Sequence, residues 1–294
     1  MALAPRAVVV YRRTELDELL ATHGTRGQAA FFLKSRGRNI TQVQARHDAV
    51  ERARTRVDAA IPMDWRRGQV ERSDLSRFVF GEEDVVVVVG QDGLVANVAK
   101  YLDGQPVVGV NAEPAMNPGV LVNHRAQDVE ELLSRPEAFD RVTRCTMVEA
   151  ELDDGQVLRA LNEIYIGHPS HQSARYRIDV GAARERQSSS GVLVGTGTGA
   201  TGWCQSVWRE RRSRLTLPTR PAPDLCWFVR EAWPSPATGT DLTEGLLDDG
   251  DELAIIAESD LVVFGDGIES DALTVSWGQR VTVRRAKTSL RLVN

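Results

Sequence analysis

Residues 84–94, with the sequence DVVVVVGQDGL, constrain the fold of this chain more than any other stretch. The five consecutive valines are too few for a helix and too apolar for an edge strand, which predicts a central strand buried on both faces. The run ends at Gly90, and from Leu94 the apolar spacing becomes helical. The stretch therefore predicts a strand, a tight turn and a helix. Asp92 would then lie at the carboxyl end of a buried strand, where open α/β sheets bind ligands and helix N-termini receive phosphates.

Composition excludes several classes of partner. The 294 residues include 36 basic and 41 acidic side chains, a net charge of -5, so the chain lacks the positive charge typical of proteins that bind nucleic acid or anionic membranes. No apolar run approaches the roughly 20 residues of a membrane helix, and the first residues do not resemble a signal peptide. We therefore expect a cytoplasmic protein with no nucleic-acid or membrane partner. Metal ligands are not predicted either, because Cys145, Cys204 and Cys226 show no CxxC spacing and a proline interrupts His168 and His171.

The first half of the chain predicts an α/β domain. A β-branched run at residues 7–11 indicates a first parallel strand, Thr14 can cap a first helix, and Thr41 can cap a longer one. Residues 106–110 form a second buried strand, and the spacing from the valine strand leaves room for one crossover helix. This pattern predicts a Rossmann-like parallel sheet in a domain that spans residues 1–138.

The second half predicts a β-rich domain, residues 139–294, folded as a β-sandwich. Short strand-like segments follow one another, including residues 160–166, and Asp153, Asp154 and Gly155 are a strong hairpin signal. Asp266 and Gly267 predict another hairpin turn, and the proline-rich residues 218–223 predict a long loop or lid.

A glycine-rich stretch in the second half can bind a ligand. Residues 195–203, GTGTGATGW, are dense in glycine and hydroxyl groups, so their backbone N–H groups can approach a ligand closely and their threonines can bond phosphate or ribose. The stretch lacks the lysine of a P-loop, which excludes a Walker A site. Trp203 can stack on an adenine or pack in the core.

Three motifs in order resemble the NAD kinase family, which carries GGDGT after a buried strand, an Asn-Glu or Asn-Asp pair, and a TGTGS-type loop. They appear here as GQDGL at residues 90–94, NE at residues 162–163, and GTGTGATGW at residues 195–203. The chain is most similar to the mitochondrial-type branch, in the motifs GVNAEP (109–114), ALNEIYIG (160–167), SARYRIDV (173–180), SSSGV (188–192) and VVFGDG (262–267). The resemblance spans roughly residues 85 to 270.

This resemblance implies a kinase that transfers the γ-phosphoryl group of ATP, with Mg²⁺, to the 2′-hydroxyl of NAD to give NADP. It implies Asp92 as the catalytic base and a homo-oligomer, a dimer, as the assembly. The binding residues that it implies are Gly90, Gln91, Gly93, Leu94, Asn111, Asn162, Glu163, Thr196, Thr198, Gly199, Thr201 and Trp203. Such chemistry is physically coherent, because phosphoryl transfer needs positioning and charge neutralisation more than covalent catalysis.

Two departures from the family pattern leave alternatives open. Gln91 replaces the second glycine of the turn, and a side chain there costs about 1 kcal/mol or more if the position needs a positive φ. Leu94 replaces a threonine and removes a hydroxyl that could bond a phosphate. The alternatives are a related kinase that acts on another hydroxyl, of a nucleoside or a sugar, and a non-catalytic nucleotide-binding protein.

Overall fold

The computed structural model describes residues 4–294, which divide into two compact units. The first unit contains the residues up to Thr143 together with Arg291–Asn294, and the second contains Arg144–Leu290. The sequence pattern places the domain boundary at 138/139 and gives no sign that the last four residues belong with the first unit.

The first unit alternates strands and helices along the chain. Its elements are β1 (Arg6–Tyr11), α1 (Glu15–His23), α2 (Arg26–Lys34), α3 (Ile40–Ala60), β2 (Arg66–Glu71), β3 (Asp84–Gly90), α4 (Asp92–Ala99), β4 (Pro106–Asn111) and α5 (Val129–Leu133). Two short 3₁₀ helices, Arg72–Arg77 and Pro136–Asp140, complete it.

Four parallel strands form the sheet of the first unit in the order β2-β1-β3-β4. The valine strand β3 lies between β1 and β4, with Val87 opposite Val9 on one side and Val108 on the other. At the end of the chain, Arg291 pairs in parallel with Pro106 of β4. The predicted Rossmann-like sheet, with the valine run buried at its centre, is confirmed.

Helices cover both faces of this sheet. Val85, Val87 and Val89 pack in one cluster with buried residues of α3 and α5. Because side chains alternate along a strand, the even-numbered valines point to the opposite face, and α4 contacts β1, β3 and β4. Within residues 4–294, no helix combines the length and apolarity that crossing a bilayer requires.

One of the two predicted helix caps is confirmed and the other is wrong. Thr14 caps α1 in a reciprocal arrangement with Asp17, whose carboxylate accepts the backbone N–H of Thr14 at 2.8 Å. The longer helix begins two residues earlier than a Thr41 cap requires, so Thr41 lies inside α3. Asn39 is the cap, and its Oδ1 accepts the backbone N–H of Thr41 at 2.8 Å.

The second unit is almost entirely strands. Its elements are β5 (Val142–Leu152, which begins at the boundary), β6 (Val157–Ala160), β7 (Glu163–Gly167), β8 (Ala174–Val180), β9 (Ala183–Ser189), β10 (Gly191–Gly195), α6 (Trp203–Arg211), β11 (Leu225–Arg230), β12 (Glu244–Leu247), β13 (Glu252–Ala257), β14 (Leu261–Gly265), β15 (Ile268–Val275) and β16 (Arg280–Val293).

Two antiparallel layers enclose the core of the second unit. One layer has the order β16-β13-β8-β9, with β5 and β6 paired to it, and the other has the order β12-β11-β10-β7-β14-β15. Ile178 and Ile255 from the first layer share one buried cluster with Ile164, Val194 and Val263 from the second. The predicted β-sandwich is therefore confirmed.

The strand predicted at residues 160–166 is interrupted in the structure. The chain turns a corner at Leu161 and Asn162, so β6 pairs with β5 in one layer and β7 pairs with β10 and β14 in the other. The predicted hairpin between β5 and β6 is confirmed, with Gly155 at a φ of 89°. The proline-rich residues 218–223 lie in a segment without helix or strand, as a loop requires.

Candidate functional site

In the first unit, the carboxylate of Asp92 is held by backbone N–H groups. Asp92 is the first residue of α4, directly after β3. Its Oδ1 accepts the N–H groups of Val120, Leu121 and Val122 at 3.0, 2.7 and 3.0 Å, and its Oδ2 shares the N–H of Val120 at 3.0 Å. Asp92 therefore fixes the segment that follows β4, while Oδ2 keeps capacity to accept a further hydrogen bond.

The turn before Asp92 has an unstrained backbone. Gln91 has φ -120° and ψ 165°, an extended conformation that any residue adopts, and its side chain is exposed. The position does not need a positive φ, so the cost that such a φ would impose on a side chain does not arise. A Cβ on Gly93 would meet nothing within 4 Å, and one on Gly90 would lie 3.2 Å from Leu94. Leu94 itself is only 5% exposed and packs in the core of the unit.

Asn111 lies beside this turn and holds the same segment. It is the last residue of β4 and the register partner of Gly90. Its Nδ2 donates to the carbonyl of Asn117 at 2.8 Å, and its Oδ1 accepts the N–H of Glu113 at 3.0 Å. The segment also packs closely on β4, since a Cβ on Gly109 would lie 2.0 Å from the carbonyl oxygen of Leu121. The first unit thus brings together Gly90 to Leu94 and Asn111 at the carboxyl ends of two neighbouring strands.

In the second unit, Asp266 builds the corner that carries the Asn-Glu pair. Its two carboxylate oxygens accept the N–H groups of Leu161 and Asn162, each at 2.7 Å. Asp266 and Gly267 form the predicted hairpin turn, with Asp266 at a φ of 55°. Sequence reasoning missed the role of the carboxylate, because its partners lie 105 and 104 residues away along the chain.

Glu163 is a carboxyl group in an apolar and negatively charged environment. Burial, and secondarily the nearby charge of Asp266, raise the pKa of Glu163 to about 7. Among residues 4–294, the side chains of Asn162 and Glu163 have no hydrogen-bond partner. Both groups are therefore available to a ligand.

The glycine-rich loop packs against this corner. Thr196 Oγ1 donates to the carbonyl of Leu161 at 2.6 Å and accepts the N–H groups of Thr198 and Gly199 at 3.1 and 3.3 Å. The Oγ1 of Thr198 is buried and has no partner within the part of the chain that the structure describes, although Thr198 is only 5% exposed. A buried hydroxyl without a partner is unusual in a folded protein and points to a ligand or a water.

Close backbone approach explains the glycines of this loop. A Cβ on Gly199 would lie 2.1 Å from the carbonyl oxygen of Asn162, and one on Gly197 would lie 1.8 Å from that of Thr219. Neither glycine has a positive φ. The loop thus needs glycine for its own packing, a reason that the sequence does not reveal.

The sequence allows Trp203 either to stack on an adenine or to pack in the core. In the structure, this first residue of α6 is intermediate between the two. It is half-buried, and its ring stacks on that of Tyr165 with centroids 5.6 Å apart and an angle of 17°. The guanidinium of Arg230 lies 5.3 Å from the Trp203 ring. Thr201 donates its hydroxyl to the carbonyl of Thr198 at 2.9 Å, so it stabilises the loop itself.

The second unit therefore gathers the seven residues that the sequence singled out there: Asn162, Glu163, Thr196, Thr198, Gly199, Thr201 and Trp203. The strand register supports the grouping, because Glu163 is the partner of Gly195 at the start of the loop. Across the described part of the chain, no group of three or more His, Cys, Asp or Glu side chains could hold a metal ion.

Comparisons with known proteins find relatives that are named NAD kinases. No protein-family model matches the chain. The NAD kinase of Cutibacterium acnes is 28% identical over 254 residues, covering 80% of this chain and 73% of that protein. The NAD kinase of Rickettsia bellii is 32% identical over 130 residues, covering 42% of this chain and 49% of that protein. The matched part thus spans about half the length of the Rickettsia relative.

The fold has a counterpart among solved structures. The crystal structure of an NAD kinase from Archaeoglobus fulgidus in complex with ATP superposes with a TM-score of 0.57 at 17% identity, covering 98% of this chain and 93% of that one. This likeness shows the fold, an α/β unit followed by a β-sandwich.

Proposed function

We propose that this chain is an NAD kinase that transfers the γ-phosphoryl group of ATP to the 2′-hydroxyl of NAD to give NADP. The names of the sequence relatives and of the structural neighbour support the family. The motifs SARYRIDV and SSSGV support the finer placement in the mitochondrial-type branch.

One observation about the second unit carries the proposal. Among residues 4–294, the side chains of Asn162, Glu163 and Thr198 have no hydrogen-bond partner, and they lie at a loop whose Gly197 and Gly199 are in close backbone contact. An acceptor rich in hydroxyl and amide groups, as NAD is, can satisfy all three. Since the pKa of Glu163 is about 7, its carboxyl group can donate as well as accept a hydrogen bond near neutral pH.

In the first unit, we assign Asp92 two roles. Oδ1 anchors the segment after β4 through three backbone N–H groups, and Oδ2 is left to accept the proton of the attacking hydroxyl. A rigid anchor suits a base, because its distance to the hydroxyl then depends on the scaffold and not on side-chain motion.

Asp92 would supply a carboxylate for a magnesium ion that ATP brings with it. Mg²⁺ is commonly held by substrate phosphates with one or two carboxylates. When bound, the ion neutralises charge on the phosphates.

A second candidate, a kinase for another hydroxyl, is favoured by one feature. Gln91 is exposed directly before Asp92, at a position where a glycine would leave the helix N-terminus open to a phosphate. Such a side chain can select a different acceptor.

The test is an acceptor panel. ADP release and phosphorylated product are measured in parallel with NAD, NADH, a nucleoside and a sugar, in the presence of Mg²⁺ and ATP. We expect equal amounts of ADP and NADP with NAD. ADP release with only the nucleoside or sugar would establish the second candidate. Thermal stabilisation by NAD and ATP without ADP release would instead show a non-catalytic binding protein.

A further inference from the structure

A groove lies in the first unit, between α3 and the segment that follows β4. Its volume is about 920 Å³, within the range of small-ligand sites. Ala53, Ala59, Ala112 and Ala126 supply apolar surface, and Asn111 lies at its edge. The two walls are tied together, because Arg46 of α3 forms a 2.8 Å ion pair with Glu113.

Three arginines without a counter-ion line this groove. Arg52 and Arg56 lie one helical turn apart on α3, and Arg125 lies on the opposite wall. All three are exposed, and none has an ion pair or a side-chain hydrogen bond within residues 4–294. In a chain of net charge -5, three such arginines thus line one groove.

Within residues 4–294, the two acidic side chains of the groove form no ion pair with these arginines. Glu51 is bound by Arg54 at 2.6 Å, and Asp48 accepts the amide of Gln44 at 2.9 Å. The groove therefore keeps an excess of positive charge. One guanidinium group can bind two oxygens of a phosphate at once. Three guanidinium groups on two walls therefore match a ligand with more than one phosphoryl group.

The groove adjoins the Asp92 turn at Asn111 but extends away from it. It lies on the face of the sheet covered by α3, whereas the Asp92 turn leads into α4, which packs with the even-numbered valines on the other face. Asp92 is not among the residues that line the groove.

We propose that the α3 groove is a binding site for a chain of two or more phosphoryl groups, held by Arg52, Arg56 and Arg125. The ligand is either a nucleoside polyphosphate or an inorganic polyphosphate. This inference does not rest on the proposed kinase function, because binding can be measured without turnover.

The test is calorimetric titration of the full chain with inorganic triphosphate, ATP and AMP, without Mg²⁺. We expect triphosphate to bind, each single substitution R52Q, R56Q or R125Q to weaken it about tenfold, and the triple variant to weaken it about 100-fold or more. Binding should also weaken as salt rises. The matched control is R77Q, which removes an exposed and unpaired arginine at the end of the 3₁₀ helix Arg72–Arg77.

The titrations with triphosphate, ATP and AMP identify the ligand, and some of their outcomes would refute the proposal. Equal loss of ATP and triphosphate binding in the triple variant, with AMP bound weakly throughout, identifies the phosphoryl chain as the recognised group. Loss of triphosphate alone identifies inorganic polyphosphate. Triphosphate affinity that is unchanged in the triple variant, equally reduced in R77Q, or undetectable in the unmodified chain refutes the site. A failure to make NADP changes none of these readings.

Discussion

The two glycine-containing stretches look alike in sequence and differ in what their glycines do. In the loop of the second unit, glycines 197 and 199 are required because backbone carbonyls lie where a Cβ would be. In the turn of the first unit, Gly93 faces open space and position 91 accepts glutamine in an extended conformation. The polar groups differ in the opposite sense: Asp92 Oδ1 accepts three backbone N–H groups, whereas the side chains of Asn162, Glu163 and Thr198 have no hydrogen-bond partner among residues 4–294. Divergence is therefore tolerable in the turn and costly in the loop.

The largest expected effect is a difference in the free energy of unfolding when a glycine of each stretch is replaced by alanine. Gly199→Ala places a Cβ 2.1 Å from the Asn162 carbonyl oxygen and should lower the free energy of unfolding by about 3 kcal/mol or more. Gly93→Ala, in open space inside α4, should change it by less than about 1 kcal/mol. Urea denaturation of both variants measures the contrast, and similar costs would remove the basis of the comparison.

The next effect concerns the proposed base. Asp92→Asn should reduce kcat about 100-fold or more while NAD binding is largely kept, because the amide keeps an anchoring oxygen but cannot take a proton. The matched control is Asp17→Asn, which alters another carboxylate that accepts a backbone N–H but lies at the start of α1. Turnover that stays unchanged in Asp92→Asn would leave Asp92 only its anchoring role.

A pH effect of similar size should come from the second unit. The folded state raises the pKa of Glu163 from its usual value of 4.5 to about 7, so it binds the proton more tightly than the unfolded chain. The stabilisation is complete below pH 4.5 and is lost as the pH rises through about 7. Over that window the free energy of unfolding should fall by roughly 2 to 3 kcal/mol relative to Glu163→Gln. Parallel pH profiles of the two proteins would contradict this account.

What the sequence could predict depended on whether the cause was local. The valine run specifies a buried central strand by its own composition, and Thr14 and Asp17 form a cap within one turn. The sequence did not predict the corner at Asn162, because Asp266, whose carboxylate builds it, is 104 residues away along the chain. For the same reason, the glycines of the loop suggested ligand access, while the structure assigns them to contacts with Asn162 and Thr219.

The groove arginines follow the same rule. Arg52 and Arg56 belong to a charged helix whose sequence is typical of a solvated face, and only the fold brings Arg125 to the opposite wall. The types and order of the residues were enough to show the resemblance to a family. The contact partners of each residue could be found only from the tertiary structure.

The smallest expected effect concerns Gln91, which replaces the second glycine of the turn. Gln91→Gly should change the free energy of unfolding by less than about 0.5 kcal/mol, because Gln91 makes no capping hydrogen bond and its φ needs no glycine. Its consequence for activity is separable from stability. If Gln91 selects the acceptor, the variant should shift the ratio of kcat/KM for NAD to that for other hydroxyl acceptors while its Tm stays constant. An unchanged ratio would mean that the glutamine is a neutral replacement, and the difference between the turn and the loop would then be one of packing alone.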